Sequence, residues 1–139
     1  MTDRLAFIRG LIGKPYRRGG EGPDAFDCWG LVAHVQGALF GRAVPQIHLD
    51  ADEEPTLLAY ARAFADHPEY RRWRLVAAPA DGSVVTCARV DRPVHAGTFL
   101  TEDGGGILHA DERAGILFEP VDLMRRRGFT RLAYYVPAF

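Results

Sequence analysis

Several residue types are scarce or missing in this chain of 139 residues. There is no asparagine, one serine (Ser83), one lysine (Lys14) and only two cysteines, Cys28 and Cys87. Two cysteines without a C-x-x-C spacing argue against a disulfide framework. The single serine lies outside any G-x-S-x-G turn, which argues against a serine hydrolase.

Long apolar runs and an excess of positive charge are missing as well. No stretch approaches ~18 consecutive apolar residues, and the opening MTDRLAFIRG lacks the pattern of a signal peptide. We therefore predict neither a membrane partner nor a cleaved leader. The net charge is −1 at pH 7, so the chain has no general basic field for binding nucleic acid.

The length and the 47% hydrophobic content suit one well-buried domain over residues 1–139. Apolar residues at helical spacing predict a helix that starts at Thr2 or Asp3, a second over 28–40 and a third from about Pro55. Short runs then predict six strands, at 75–77, 83–88, 94–100, 106–110, 116–119 and 129–136, with a helical turn at 120–127. Short connections favour antiparallel pairing of sequence neighbours, so the predicted architecture is α+β, with helices first and a meandering sheet second.

A loop rich in glycine and proline runs into the second helix, with the sequence GKPYRRGGEGPDAFDCWGL over residues 13–31. Asp27 stands at the N-cap position, and Cys28 lies in the first turn. The helix macrodipole and the unpaired amide N–H groups there predict a lowered pKa for the Cys28 thiol. Because the thiolate is the nucleophilic form, we predict Cys28 as a nucleophile, whereas Cys87 in its apolar strand is interpreted as a core residue.

Two of the five histidines fall on predicted strands that a glycine-rich turn joins, His95 in VHAGTFL and His109 in GILHA. In one register Leu100 pairs with Gly104, which places the two histidines directly opposite each other on one face. A slip by one residue would separate them. A Cys–His pair needs a third group to orient the imidazole, and His109, a carboxylate or a glutamine are the candidates.

A zinc site and a structural histidine are the alternatives to a catalytic cysteine and its histidines. A zinc site built from Cys28, His95 and His109 would lack the paired ligand spacing of zinc-binding chains. His34 lies six residues after Cys28 on another face of the helix, so we interpret it as structural or solvated. We expect no metal and no cofactor.

The segments PYRRGGEGPDAFDCWGLV, VHAGTFL and GILHA together resemble the NlpC-type cell-wall cysteine peptidases of the papain-like superfamily, especially the short versions encoded with phage tails and gene transfer agents. The resemblance covers nearly the whole chain and implies a papain-like α+β fold. In that family the cysteine of D-C-x-G is the nucleophile, the histidine of H-x-G is the base, and a polar residue on the next strand completes the triad. These positions match Cys28, His95 and His109.

The resemblance also implies a reaction and further site residues. The reaction is hydrolysis of amide bonds in peptidoglycan stem peptides, commonly between γ-D-glutamate and diaminopimelate. Tyr16 matches the tyrosine of the family's P-Y element, a candidate for oxyanion or substrate contact that can equally be a core aromatic. Asp27 is an N-cap and a second candidate for substrate contact. Trp29 stands where many members have a serine that helps to read the stem peptide.

Delivery is the last expectation that the resemblance supports. The chain shows no appended targeting domain, so other tail or particle proteins are the expected partners. The protein would be made in the cytoplasm without a signal peptide, assembled into a tail particle, and act on the cell wall in the periplasm. The competing hypothesis is a catalytically silent tail-tip or assembly protein with the same fold. Retention of all three triad positions favours the enzyme.

Overall fold

A computed structural model describes residues 3–45, 68–89 and 92–139. The α-helices are α1 (Arg4–Leu11), α2 (Cys28–Phe40) and α3 (Val121–Arg126), and two 3-10 helices span Pro68–Arg72 and Glu102–Gly104. The strands are β1 (Trp73–Val76), β2 (Val84–Arg89), β3 (Arg92–Leu100), β4 (Gly106–Asp111), β5 (Gly115–Glu119) and β6 (Arg131–Pro137). The helix predicted from about Pro55 lies outside the described residues.

Local capping signals set the ends of the first two helices. The Asp3 side chain accepts a hydrogen bond from the backbone N–H of Ala6 at the start of α1. Asp27 does the same for the N–H of Gly30 at 2.6 Å, so α2 begins at Cys28 as predicted. Gly41 ends α2 in the left-handed conformation at φ 64°, which glycine adopts without steric cost.

The six strands form one antiparallel sheet in the order β1-β6-β2-β3-β4-β5. The predicted α+β architecture is confirmed, and β2 to β5 pair as sequence neighbours. The prediction is wrong for β1 and β2, because β6 lies between them and pairs with both. The segment before β2 turns toward β3 instead, where the N–H of Gly82 donates to the Phe99 carbonyl at 2.8 Å.

Helix α2 packs against β3 and β4 and thereby sets its own first residue beside the sheet. Leu31 and Val35 on the helix are buried in one cluster with Leu100 and Leu108 on the strands. The fully buried Gln36 donates from Nε2 to the Gly82 carbonyl at 2.9 Å, which satisfies its amide inside the core. Among the described helices, none has the length and apolar character needed to cross a membrane.

Candidate active site

A cleft of about 640 Å³ opens where the start of α2 meets the first half of β3. Three of the predicted site residues line it: Tyr16, Cys28 and His95. The other lining residues come from β2, β3, the end of β4, the β4–β5 turn and the segment after α3, and they are Arg89, Val94, Asp111, Glu112, Arg113, Ala114, Arg127 and Phe129.

The loop before α2 is held against the helix start by Asp27. Its two carboxylate oxygens accept from the backbone N–H groups of Gly19, at 3.1 Å, and Gly30, at 2.6 Å. The loop passes so close to itself at Gly20 that a Cβ there would lie 2.8 Å from the Arg17 carbonyl oxygen. Glycine is therefore required for the turn that delivers Cys28 to the cleft.

The Cys28 side chain is only 5% exposed, and this burial changes its acidity. Burial raises the pKa of Cys28 to about 12, and the neighbouring Asp27 carboxylate acts in the same direction. Backbone N–H groups, including that of Ala96 on β3, lower the pKa by a smaller amount. The predicted lowering of the pKa is thus wrong, because desolvation of the thiolate outweighs the helix amides. At neutral pH the raised pKa favours the thiol form of Cys28.

The two strand histidines contact each other, although not in the predicted register. Leu100 pairs with Gly106, so the residue opposite His109 on β3 is Gly97. The predicted register places His95 there, which lies two residues earlier on the same strand. A shift of two residues keeps both side chains on the same face. Nε2 of His95 therefore lies 2.9 Å from Nδ1 of His109, with the ring planes at 88°.

Gly97 makes room for this arrangement. A Cβ at that position would lie 2.8 Å from the Leu108 carbonyl oxygen and 3.1 Å from the His109 Cβ. The small residue in the H-x-G segment therefore allows β3 and β4 to approach where the histidines meet.

A buried carboxylate and an arginine extend the histidine pair. Nε2 of the fully buried His109 lies 2.8 Å from Oε1 of Glu119, and the same oxygen accepts from Nε of Arg127 at 2.6 Å. Sequence reasoning missed both residues. The signal was present in GILFEP, where a charged residue ends an apolar strand that neighbours the His109 strand.

Burial keeps both imidazoles neutral. It lowers the pKa of His95 to about 3, with the neighbouring His109 acting in the same direction. Burial also lowers the pKa of His109, against the opposing effect of the Glu119 carboxylate. The His95 ring stacks on Phe129 at a centroid distance of 5.1 Å and is half-buried. A neutral His95 is in the form that can accept a proton.

The remaining predicted residues differ in their placement. Tyr16 is half-buried at the cleft wall and also packs against the core. The structure brings neither Asp27 nor Trp29 to the cleft lining. Trp29 is 4% exposed, donates from its indole N–H to the Pro45 carbonyl at 2.7 Å, and packs with Trp73. Successive helical residues point about 100° apart, so Cys28 faces the cleft while Trp29 enters the core.

The other candidates from the sequence lie away from the site. Cys87 is fully buried in the core, and His34 stacks on Phe7 at a centroid distance of 5.6 Å. Within residues 3–45, 68–89 and 92–139, no three histidine, cysteine or acidic side chains are grouped to hold a metal ion.

The fold and the site define a papain-like α+β domain with a cysteine at a helix start and a histidine on the adjoining strand. A sequence model described as the NlpC/P60 family matches residues 13–130. The chain therefore belongs to the NlpC/P60 family, a family of cysteine hydrolases. This confirms the resemblance at the level of the family and leaves the phage-tail or gene-transfer-agent type a prediction. A search of curated proteins gave no match.

Solved structures show the same fold. The NlpC/p60 domain of peptidoglycan hydrolase SagA is 20% identical with a TM-score of 0.57, over 94% of this chain and 93% of that one. NlpC2 from Trichomonas vaginalis is 15% identical with a TM-score of 0.57, over 95% and 44%. A Staphylococcus aureus protein described as similar to lipoprotein, NLP/P60 family, is 20% identical with a TM-score of 0.58, over 96% and 42%. This chain thus spans less than half the length of the latter two.

Proposed function

We propose that this protein is a cysteine endopeptidase that cleaves peptidoglycan stem peptides, with the γ-D-glutamyl-diaminopimelate bond as its target. The observation that carries the proposal is the shared cleft of Cys28 and His95, with His109 hydrogen-bonded to Nε2 of the His95 ring. Membership of the NlpC/P60 family supports it, as does the fold shared with the NlpC/p60 domain of the peptidoglycan hydrolase SagA.

Acylation begins with a proton transfer inside the cleft. Nδ1 of His95 accepts the proton of the Cys28 thiol, and the thiolate sulfur attacks the carbonyl carbon of the scissile amide. The carbonyl electron pair moves onto oxygen, where the backbone N–H of Cys28 at the helix start is a natural donor. The His95 imidazolium returns its proton to the amide nitrogen as the C–N bond breaks. The products are a free amine and an acyl thioester on Cys28.

Water completes the cycle through the same pair. His95 takes a proton from the attacking water, the C–S bond breaks, and the proton returns to the Cys28 sulfur. His109 holds the His95 ring in place through the 2.9 Å hydrogen bond during both steps. In this proposal Cys28 is the nucleophile, His95 the base and His109 the residue that orients it.

The charges at the cleft suit a stem peptide as the substrate. Arg89 and Arg113 line it together with Asp111 and Glu112, so both signs of charge are available. A stem peptide around diaminopimelate carries carboxylates and an amino group, which these side chains complement. Tyr16 at the wall is placed for contact with the substrate. Trp29, buried behind the helix start, acts on recognition only through packing.

Delivery as a component of a phage tail or gene transfer agent is part of the proposal. Its support is the likeness of the sequence segments to the short, tail-encoded members of the family. The competing role is a silent tail-tip or assembly protein with the same fold, and the following experiment separates the two.

Purified peptidoglycan is digested with the wild-type protein and with Cys28→Ala, and the new peptide ends are identified by mass spectrometry. We expect new amino termini at diaminopimelate with the wild type and none above background with Cys28→Ala. Cys87→Ala is the matched control, because that thiol is fully buried in the core. Equal product from the wild type and Cys28→Ala would remove Cys28 from the mechanism. No product from a folded wild-type protein assembled in a tail particle would favour the structural role.

A further inference from the structure

Glu119 is a buried carboxylate that lies next to the histidine pair and outside the cleft lining. A buried carboxylate is costly unless a cation and hydrogen bonds compensate it. Arg127 supplies the cation, with Nε 2.6 Å from Oε1 of Glu119. An ionised carboxylate can only accept hydrogen bonds, so the arginine maintains Glu119 as an acceptor.

The acceptor role of Glu119 determines where His109 carries its proton. Nε2 of His109, 2.8 Å from the carboxylate oxygen, must hold the hydrogen because the oxygen has none to give. A neutral imidazole protonated at Nε2 has a bare lone pair at Nδ1. This atom lies 2.9 Å from Nε2 of His95, so Nε2 of His95 must donate to it.

The same logic fixes the state of the base. With its one proton on Nε2, the neutral His95 ring has a bare Nδ1, which can accept the proton of Cys28. If His109 were instead protonated at Nδ1, Nε2 of His95 would have to accept and Nδ1 would hold the hydrogen. That opposite arrangement leaves His95 unable to act as a base in the first step.

We propose that Glu119, held by Arg127, is a positioning residue that keeps Nδ1 of His95 free to take the proton of Cys28. The kinetic part of this inference rests on the proposed peptidase function. The position of each proton is a property of the chain itself and can be measured without a substrate.

The first test is ¹⁵N NMR of the histidine side chains in the wild-type protein near neutral pH, since protonated and bare ring nitrogens differ in chemical shift. We expect both His95 and His109 to carry hydrogen at Nε2. Hydrogen at Nδ1 of His109 would overturn the proposal, whether or not the protein cleaves peptidoglycan. A failure of the peptidase assay with the expected spectrum would count against the proposed function alone.

The second test is Glu119→Leu. Oε1 of Glu119 accepts from both His109 and Arg127, so a glutamine oxygen would keep both bonds, whereas leucine leaves Nε2 of His109 without its acceptor. We expect hydrogen at Nδ1 of both histidines in part of the molecules and a fall in kcat on the order of 10²-fold or more, with KM within about threefold. Unchanged proton positions with unchanged kcat would overturn the proposal.

Glu102→Leu is the matched control, because Glu102 also pairs with an arginine, Arg4 at 2.8 Å, and does not line the cleft. It should leave kcat and the histidine spectra unchanged. Thermal unfolding of both variants checks that they are folded. If Glu119→Leu does not fold, the wild-type spectrum still decides the proposal.

A double substitution separates positioning from general support of the fold. In His109→Asn, the amide oxygen can accept from Nε2 of His95 without any help from Glu119. Adding Glu119→Leu to this variant should then lower kcat by less than about threefold. A further loss as large as that of Glu119→Leu alone would show that Glu119 does not act through His109.

Discussion

Cys28 and His95 line one cleft, but the contacts that hold them differ in their range along the chain. Cys28 is placed by Asp27, whose carboxylate binds N–H groups three and eight positions away. His95 is placed by His109, which lies 14 positions away across a strand pair, and Glu119 continues the contacts onto a third strand. The placement of the proposed nucleophile therefore depends on local backbone geometry, whereas that of the proposed base depends on strand register.

The site has a cysteine half at the start of α2 and a histidine half on the strands, and the two differ in which groups stabilise charge. Burial raises the pKa of Cys28 to about 12, and the amide N–H groups around it compensate only in part. On the histidine half, side chains form a hydrogen-bonded series that ends at the Glu119–Arg127 ion pair. The helix start thus positions the sulfur of Cys28 without making it more acidic, and in the proposed mechanism the histidines remove its proton.

The largest expected effect is on the histidine half. His95→Gln should lower kcat for peptidoglycan cleavage by on the order of 10²- to 10⁴-fold, because the proposed general base is lost. His34→Gln is the control, since His34 stacks on Phe7 away from the cleft. Kinetics on purified peptidoglycan with both variants check this expectation. Equal losses of kcat in the two variants would contradict a specific role of His95 in the cleft.

The acidity of the Cys28 thiol tests the cysteine half of the site. Because the pKa of Cys28 is raised to about 12 in the folded chain, the thiolate fraction at pH 7.5 is below that of an unfolded chain, where a thiol has a pKa near 8.5. In a Cys87→Ala background, iodoacetamide should alkylate Cys28 at least about tenfold more slowly in the folded protein than in denaturant. Faster alkylation of the folded protein would indicate an activated thiolate and would support the lowered pKa that the helix start predicts.

A substitution at Gly97 tests whether β3 and β4 must approach closely beside the histidine pair. Gly97→Ala puts a Cβ 2.7 Å from the Ile107 side chain and against the β4 backbone, so we expect a loss of about 1–3 kcal/mol in the free energy of unfolding. Gly10→Ala in α1 meets nothing within 4 Å and should stabilise the protein by about 0.5–1 kcal/mol. Urea titrations of both variants measure the difference. An unaffected Gly97→Ala would mean that β3 and β4 need no close approach there.

The smallest effect is expected at the helix cap. Asp27→Ala removes the acceptor for the N–H groups of Gly19 and Gly30 and should cost about 0.5–2 kcal/mol in the free energy of unfolding. Asp3→Ala removes the exposed cap of α1 and should cost less, because water replaces its single hydrogen bond. Thermal or urea unfolding ranks the two. A larger loss for Asp3→Ala would contradict the view that the cysteine junction is held by its cap.

Much of the fold was predictable because its signals are local. The N-cap at Asp27, the left-handed Gly41 and the alternation of short apolar runs depend on neighbouring residues, and the helix and strand positions followed from them. The place of β6 between β1 and β2 was not predictable in this way. Hydrogen bonds between strands that are distant along the chain leave no local pattern.

For the site, the residue types of the sequence determined that a cysteine would stand at a helix start and that two histidines would lie on adjacent strands. Tertiary structure decided the two-residue shift of register, which still brings the two rings into contact. It also decided the burial of Trp29 and the Glu119–Arg127 ion pair next to His109. It also reversed the expected acidity of Cys28. The physical reason is that caps and periodicity act through neighbouring backbone groups, whereas desolvation and pairing depend on side chains brought together from the whole chain.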